Sequence, residues 1–441
     1  VKVPGTVTCR FDAESAQPVA DPIAASALRK VRRRIIPFLF LLYIVAYLDR
    51  VNVGFAAIDM NRDLGFSAAV YGLGSGLFFL SYTLLEVPSN LMLVRLGARV
   101  WIARIMFTWG VMSTGMMFVD GPLSFYLLRI LLGAAEAGFF PGLIFYLTHW
   151  FPARERGQAV GLFMTATAMA GVIGAPISSA LLQLDGAYGL RGWQWLFLIE
   201  GLPAILLAPV VWKGLTESPK DAKWLEPAER EWLSNEIAAE QAQTAGAHVT
   251  FGAAARSGRL WAISVVYLCI VVAFYGISFW LPQIMQSTSG LGSATIVLLS
   301  AIPYMAATAG LVVIGTRSDR TGERRWHLAI PCLIGAAGFV LTVLVPATLT
   351  NSLITLSIAA FGIWGTLGPL WTWPTSFLRG TAAAGGIALV NSIGNVGGFA
   401  GPFLMGWIRD ATGGFSAGFL TLAGFLVAGA IIAALMPRSQ K

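Results

Sequence analysis

Twelve stretches of this chain are apolar for long enough to cross a lipid bilayer, at approximately 35–58, 70–93, 100–119, 123–149, 157–184, 193–213, 260–286, 293–315, 327–347, 351–375, 382–408 and 415–436. A hydrocarbon core of about 30 Å needs about 20 apolar residues. Within it every backbone polar group must be satisfied internally, which makes each run a helix. Only 12% of the residues are charged, against about 25% in a soluble domain, so lipid is the expected solvent. The fold expected is an all-α membrane protein of twelve transmembrane helices. The polar stretch at 214–259 divides them into two six-helix halves, at 35–213 and 260–436, with tails at 1–34 and 437–441. The N-terminal tail is expected to be disordered to about Leu28, and an amphipathic helix is expected near Ala228–Glu240. The first apolar run is about a full span long, so no cleavable signal peptide is expected.

The net charge of +8 does not imply a nucleic-acid partner, because the basic residues fall between the apolar runs. Alternate loops hold Arg95, Arg99, Arg154, Arg156, Arg317, Arg320, Arg324, Arg325 and Arg379, and the N-terminal approach holds Lys30, Arg32, Arg33 and Arg34. The other loops keep Arg62, Arg191 and Arg409, each near an acid: Asp63, Asp185 and Asp410. By the positive-inside rule both termini lie in the cytoplasm. Cys9, Cys269 and Cys332 lack paired spacing, so neither a disulfide nor a metal site is expected.

The halves repeat. NLMLVRLGAR (90–99) follows the second run and GTRSDRTGERR (315–325) follows the eighth, equivalent loops of a six-plus-six duplication. The second resembles the signature loop of the major facilitator superfamily. Its Gly315, Asp319, Arg320, Gly322 and Arg324 combine turn glycines with a charge cluster at a helix end, suited to a gating latch. In the first copy Asn90 and Val94 stand where glycine and aspartate are usual.

Charges inside the runs carry the functional signal. Placing an Arg or Asp at mid-helix costs about 2.5–3.5 kcal/mol on the lenient insertion scale, yet the first run holds Asp49 and Arg50 and the fourth Arg129 and Glu136. At about 1.5 Å per residue, Asp49 lies roughly 21 Å from the inner end of its helix and Arg129 roughly 9 Å from the outer end of an oppositely directed one. These depths coincide. One reading is a structural lattice pairing Asp49 with Arg129 and Glu136 with Arg50. The other is functional: Arg50 and Arg129 hold an anion, because a guanidinium fork matches a carboxylate, and Asp49 and Glu136 take up protons. Asp49 and Arg50 stand about 100° apart on their helix and can serve different partners.

Weaker candidates for substrate contact are Tyr82, the i,i+4 pair Asn391 and Asn395, and Tyr275, Gln283 and Trp371. Glu86 and Glu200 are read as helix-end acids that bind basic loops. No histidine falls at mid-membrane, which argues against a histidine relay, and no phosphate-binding loop is present, so ATP-driven pumping is unsupported.

Several segments are similar to the anion:cation symporter family of that superfamily: YLDRVNVGFA (47–56), EVPSNLML (86–93), GARVWIARIM (97–106), RILLGAAEAGFFPG (129–142), GWQWLFLIEGLP (192–203), SPKDAKWLEPAEREWL (218–233) and PTSFLRGTAAAGGIALVNSIGNVGGFAGP (374–402). The resemblance covers most of 30–436 and is greatest to bacterial tartrate-type and aromatic-acid permeases. It implies a major facilitator fold and a proton-coupled symporter of a small organic anion in the bacterial inner membrane, with sodium as the alternative ion; because one chain holds a whole transport pathway, a functional monomer is expected. It implies no enzyme activity, no cofactor and no metal. Arg50 and Arg129 would then bind substrate and Asp49 and Glu136 couple protons. Thr167 stands where sugar-acid transporters of the family often offer an amide, which argues against a sugar acid. The alternative is an efflux antiporter, although 171–178 lacks the paired Gly-Pro and Gly-Gly of such antiporters. A transporter-like sensor is disfavoured because neither tail is long.

Overall fold

In the computed structural model, residues 22–152, 155, 163–245, 257–377 and 380–437 are described. Before the linker run α1 (Pro22–Leu64), α2 (Ala68–Leu96), α3 (Ala98–Gly115), α4 (Pro122–Glu136), α5 (Phe139–Thr148), α6 (Ala166–Leu182) and α7 (Gly192–Gly214). The linker carries α8 (Pro227–Ala245). After it come α9 (Gly258–Gln286), α10 (Ser293–Leu299), α11 (Ala301–Thr321), α12 (Trp326–Leu344), α13 (Leu349–Gly365), α14 (Leu367–Phe377), α15 (Gly380–Thr412) and α16 (Ser416–Leu435). Among the described residues, nine helical stretches are long and apolar enough to cross a membrane, with α4–α5, α10–α11 and α13–α14 each counted as one. Helices α3, α6 and α15 occupy the other three predicted spans.

Three predicted single spans are interrupted. The fourth divides after Glu136, where Gly138 takes a positive φ of 86°, a conformation that costs L-residues energy and glycine little. The eighth divides at Ser300 and the tenth at Thr366. At the N-terminus the expectation of disorder to Leu28 is corrected, because α1 is already helical at Pro22. Its first turns have a partner in α8: the Ser26 hydroxyl donates to Glu229 at 2.6 Å and Lys30 Nζ to Glu229 at 2.9 Å. Residues 1–21, including Cys9, and His248 lie outside the described residues.

Small residues bring the two sets of helices together. Helices α2 and α15 run antiparallel, with Gly72 against Pro402 and Gly406, Gly76 against Phe399 and Phe79 against Gly398. A Cβ on Gly72 would lie 2.5 Å from the Pro402 carbonyl oxygen. Helix α1 meets α9 where Gly54 faces the Ser278 carbonyl, and α6 meets α11 where Gly171 sits under the Tyr304 ring. Small residues allow this approach where lipid supplies no hydrophobic drive between helices.

At the end remote from α8 the sets are tied by polar bonds. Asp410 accepts from the Ala68 and Ala69 amides at 3.1 and 2.8 Å, capping α2. Tyr71 donates to the Phe279 carbonyl at 2.8 Å. Gln283 Oε1 accepts from Arg409 at 3.1 Å and from Asn61 at 3.3 Å.

The two equivalent loops are built differently. In the second, Gly322 caps α11 with φ 68°, and Arg324 donates to Asp319 at 2.6 Å and to Ser318 Oγ at 2.8 Å. Gly315 lies under Gly368 of α14, whose Cβ would be 3.3 Å from its Cα. Arg320 ends α11 in its last turn. In the first loop Glu217 supplies an acid from the linker: it accepts from the Ala98 and Arg99 amides at 3.1 and 3.0 Å, at the positive end of α3.

Candidate substrate cavity

A cavity lies between the two sets of helices. Tyr43, Tyr47, Arg50, Tyr82 and Thr167 line it from the first set, and Tyr267, Tyr275, Trp371, Asn391 and Asn395 from the second. Arg50 is the cation on its wall. The residue is 7% exposed, and its Nη2 donates to Glu136 Oε1. Nη1 donates to the Tyr275 hydroxyl at 3.3 Å, across the interface. The guanidinium carbon lies 5.3 Å from the Phe78 ring centroid and 5.2 Å from that of Tyr82, so aromatic faces replace part of its lost hydration. Glu136 ends α4 at the helix break and is fully buried. Arg50 Nε and Glu136 Oε2 have no hydrogen-bond partner among the described residues.

Arg129 does not line this cavity. It is fully buried, with Nε on the Gly74 carbonyl at 3.3 Å, Nη2 on the Ser75 carbonyl at 3.1 Å, and the Phe78 ring 5.0 Å away. It ties α4 to α2. Asp49 faces away from the cavity, accepting from Trp109 Nε1 at 2.8 Å and Ser113 Oγ at 2.7 Å on α3. Of the two ion pairs considered from the sequence, Glu136 with Arg50 is formed, whereas Asp49 is bonded to α3 instead of Arg129. Gln283 belongs to the polar seal at the end remote from α8.

A sequence model described as Major Facilitator Superfamily matches residues 39–402. The chain belongs to that superfamily. A protein of Agrobacterium vitis provisionally named a tartrate transporter is 48% identical over 96% of this chain and 94% of its own length. A protein of Acinetobacter baumannii named as a quinolone resistance transporter is 41% identical over 92% of this chain and 93% of its own. Among solved structures, the fold matches a bacterial homologue of the human lysosomal transporter Spinster, described as inward-facing and occupied. The TM-score is 0.72 at 19% identity, covering 92% of this chain and 96% of that one. As a member of this superfamily the protein is a multi-pass membrane transporter rather than an enzyme.

Two acids of this major facilitator protein are placed differently from their reading as loop-binding helix-end residues. Glu86 is 5% exposed and accepts from Asn391 Nδ2 at 2.6 Å and Asn395 Nδ2 at 3.3 Å. Glu200 is 2% exposed and accepts from Ser178 Oγ at 2.5 Å. Asn52, which donates to Asp49 at 3.4 Å, also lies against the Glu200 carboxyl. Both acids fall inside predicted runs, the same signal that marked Asp49, and the cost of an intramembrane charge applies to them equally.

Proposed function

We propose that this protein is a proton-coupled symporter that brings an organic carboxylate into the cell by alternating access. Its substrate class is a tartrate-like dicarboxylate or an aromatic acid. It works as a monomer in the bacterial cytoplasmic membrane, with both termini cytoplasmic and Arg50 as its principal anion ligand. The observation that carries this reading is the Arg50 guanidinium on the cavity wall, paired with Glu136. A charged Glu136 holds the Nη2 donor of Arg50 and offsets the charge that a substrate carboxylate needs. A proton on Glu136 neutralises it and frees the fork, so proton and anion enter as a pair. Arg129 holds α2 and α4 in the register that aims this site. Asp49, adjacent to Arg50 on α1 and turned toward α3, is the second proton carrier. Sodium in place of protons is the alternative coupling ion. In this reading the end remote from α8, tied by polar bonds between the two sets of helices, is the closed outer side, and the loop of Gly315, Asp319, Arg320, Gly322 and Arg324 is the gating latch at the cytoplasmic end.

The substrate class is tested by thermal shift of the purified protein with a series of mono- and dicarboxylates, since a ligand that binds only the folded state raises its melting temperature. Uptake into proteoliposomes under a pH gradient, and its absence without one, tests the coupling. A second reading, efflux of aromatic compounds, draws on the relative named for quinolone resistance and on the aromatic wall of Tyr43, Phe140, Phe274 and Trp371. Stabilisation by quinolones and by no carboxylate would favour it.

A further inference from the structure

Asn391 and Asn395 line the cavity, and both direct an amide hydrogen away from it to one carboxyl, that of Glu86. This contact joins α2 of one half to α15 of the other. Besides the two amides, the titratable groups near enough to act electrostatically with Glu86 are Arg50 on α1, Tyr82 on its own helix and Tyr267 on α9. None of them forms an ion pair with it among the described residues. A carboxylate accepts hydrogen bonds only, whereas a carboxylic acid also donates one, and an asparagine amide can answer either by presenting Nδ2 or Oδ1.

Resting on the reading of the cavity as an anion site, we infer that Glu86 is a proton-carrying positioning residue that sets the direction of the Asn391 and Asn395 amides. Charged, it holds an Nδ2 hydrogen of each and places a negative charge behind the wall that the substrate anion must face. Protonated, its O–H donates to an Oδ1, that amide turns over, and its Nδ2 hydrogens face the cavity as donors for a carboxylate or hydroxyl. Anion binding and proton uptake at Glu86 are thereby linked, separately from the pair of Arg50 and Glu136.

The test uses the full-length protein in nanodiscs, with tartrate and 4-hydroxyphenylacetate as probes. Glu86→Gln keeps an amide that can bond both asparagines and removes the charge. The slope of log Kd against pH is expected to fall by about one relative to wild type, because one linked proton is lost. Glu86→Asp should retain the wild-type slope, and Glu136→Gln should retain the Glu86 contribution. An unchanged slope in Glu86→Gln overturns the inference. A ligand-free measurement separates it from the function reading: infrared difference spectra between mildly acidic and mildly alkaline pH should contain a protonated carboxyl band that Glu86→Gln removes, accompanied by an asparagine amide change that Asn391→Leu reduces. Should neither probe bind wild type while that band is present, the choice of substrate class fails and the switch stands. A spectrum with no band sensitive to Glu86 overturns the switch whatever the substrate.

Discussion

Asp49 and Arg50 are consecutive on α1, about 100° apart around it, and turn to different neighbours: Arg50 reaches the cavity and pairs with Glu136, while Asp49 is bonded to Trp109 and Ser113 of α3. Any rotation of α1 about its axis therefore moves both groups at once. Under the proposed function, this arrangement would give a proton event at Asp49 a mechanical route to Arg50 without contact between Asp49 and Glu136.

The two arginines should separate in experiment. Arg50→Lys replaces a fork with a point charge at the cavity, and is expected to weaken carboxylate binding at least about tenfold, about 1.4 kcal/mol, with a near-wild-type melting temperature. Arg129→Lys loses buried bonds to the Gly74 and Ser75 carbonyls, at a cost of about 1.5–3 kcal/mol for hydrogen bonds to a charged group. It should lower the melting temperature as well as transport. Ligand titration and thermal unfolding of both variants check this.

Glu136→Gln mimics the protonated acid permanently and leaves Arg50 without its ionic partner. Counterflow exchange is expected to survive while accumulation driven by a pH gradient is lost. Accumulation persisting in this variant would assign Glu136 a structural role.

Asp49→Asn keeps an acceptor oxygen for Trp109 and presents an Nδ2 donor to the Ser113 hydroxyl, which can accept, and is expected to fold normally yet lose proton-driven accumulation. Asp49→Ala strands both donors in the interior and should destabilise by about 2 kcal/mol or more. Unfolding midpoints and gradient-driven uptake, measured side by side, distinguish the coupling role from the packing role.

A side chain at Gly72 cannot coexist with the closed end remote from α8, because its Cβ meets a backbone carbonyl, not a flexible side chain. Gly72→Leu is expected to shift the population toward a state opened at that end. A cysteine placed at Ala69, beside the Asp410 contact, should react faster with a membrane-impermeant thiol reagent in that background.

The contact between the start of α1 and α8 should loosen in acid. Burial pushes the Glu229 carboxyl up, but hydrogen bonds from Ser26 and Lys30 outweigh it and hold the pKa below the ordinary value of 4.5. A depressed carboxyl pKa contributes stability that is present above the unfolded-state value and lost as pH falls through the folded-state one. Amide protection factors in residues 22–30, corrected for the intrinsic pH dependence of exchange, should fall below that range and stay constant between mildly acidic and neutral pH. Glu229→Gln should remove this acid dependence.

Much of this molecule is legible in its sequence. A span is a local property: about 20 apolar residues without an interruption of charge make a membrane helix whatever lies elsewhere in the chain, so the number and approximate placement of the helices follow from hydropathy. The candidacy of Asp49, Arg50, Arg129 and Glu136 as site residues follows equally, because the cost of an ion in hydrocarbon does not depend on knowing its partner. Applied evenly, that criterion also reaches Glu86 and Glu200. The partners themselves were decided by the tertiary structure. Periodicity places Asp49 and Arg50 about 100° apart, yet it cannot say that one turns to α3 and the other to the cavity. That depends on how α1 is rotated against its neighbours. Arg129 meets the Gly74 and Ser75 carbonyls where Gly133 lets α4 pack closely on α2. Glu86 meets Asn391 and Asn395 some three hundred residues away because glycines on α2 and α15 let two backbones approach in one antiparallel register. Helix rotation and inter-half register arise from the packing of many side chains at once, and that is why one-dimensional hydropathy leaves them open.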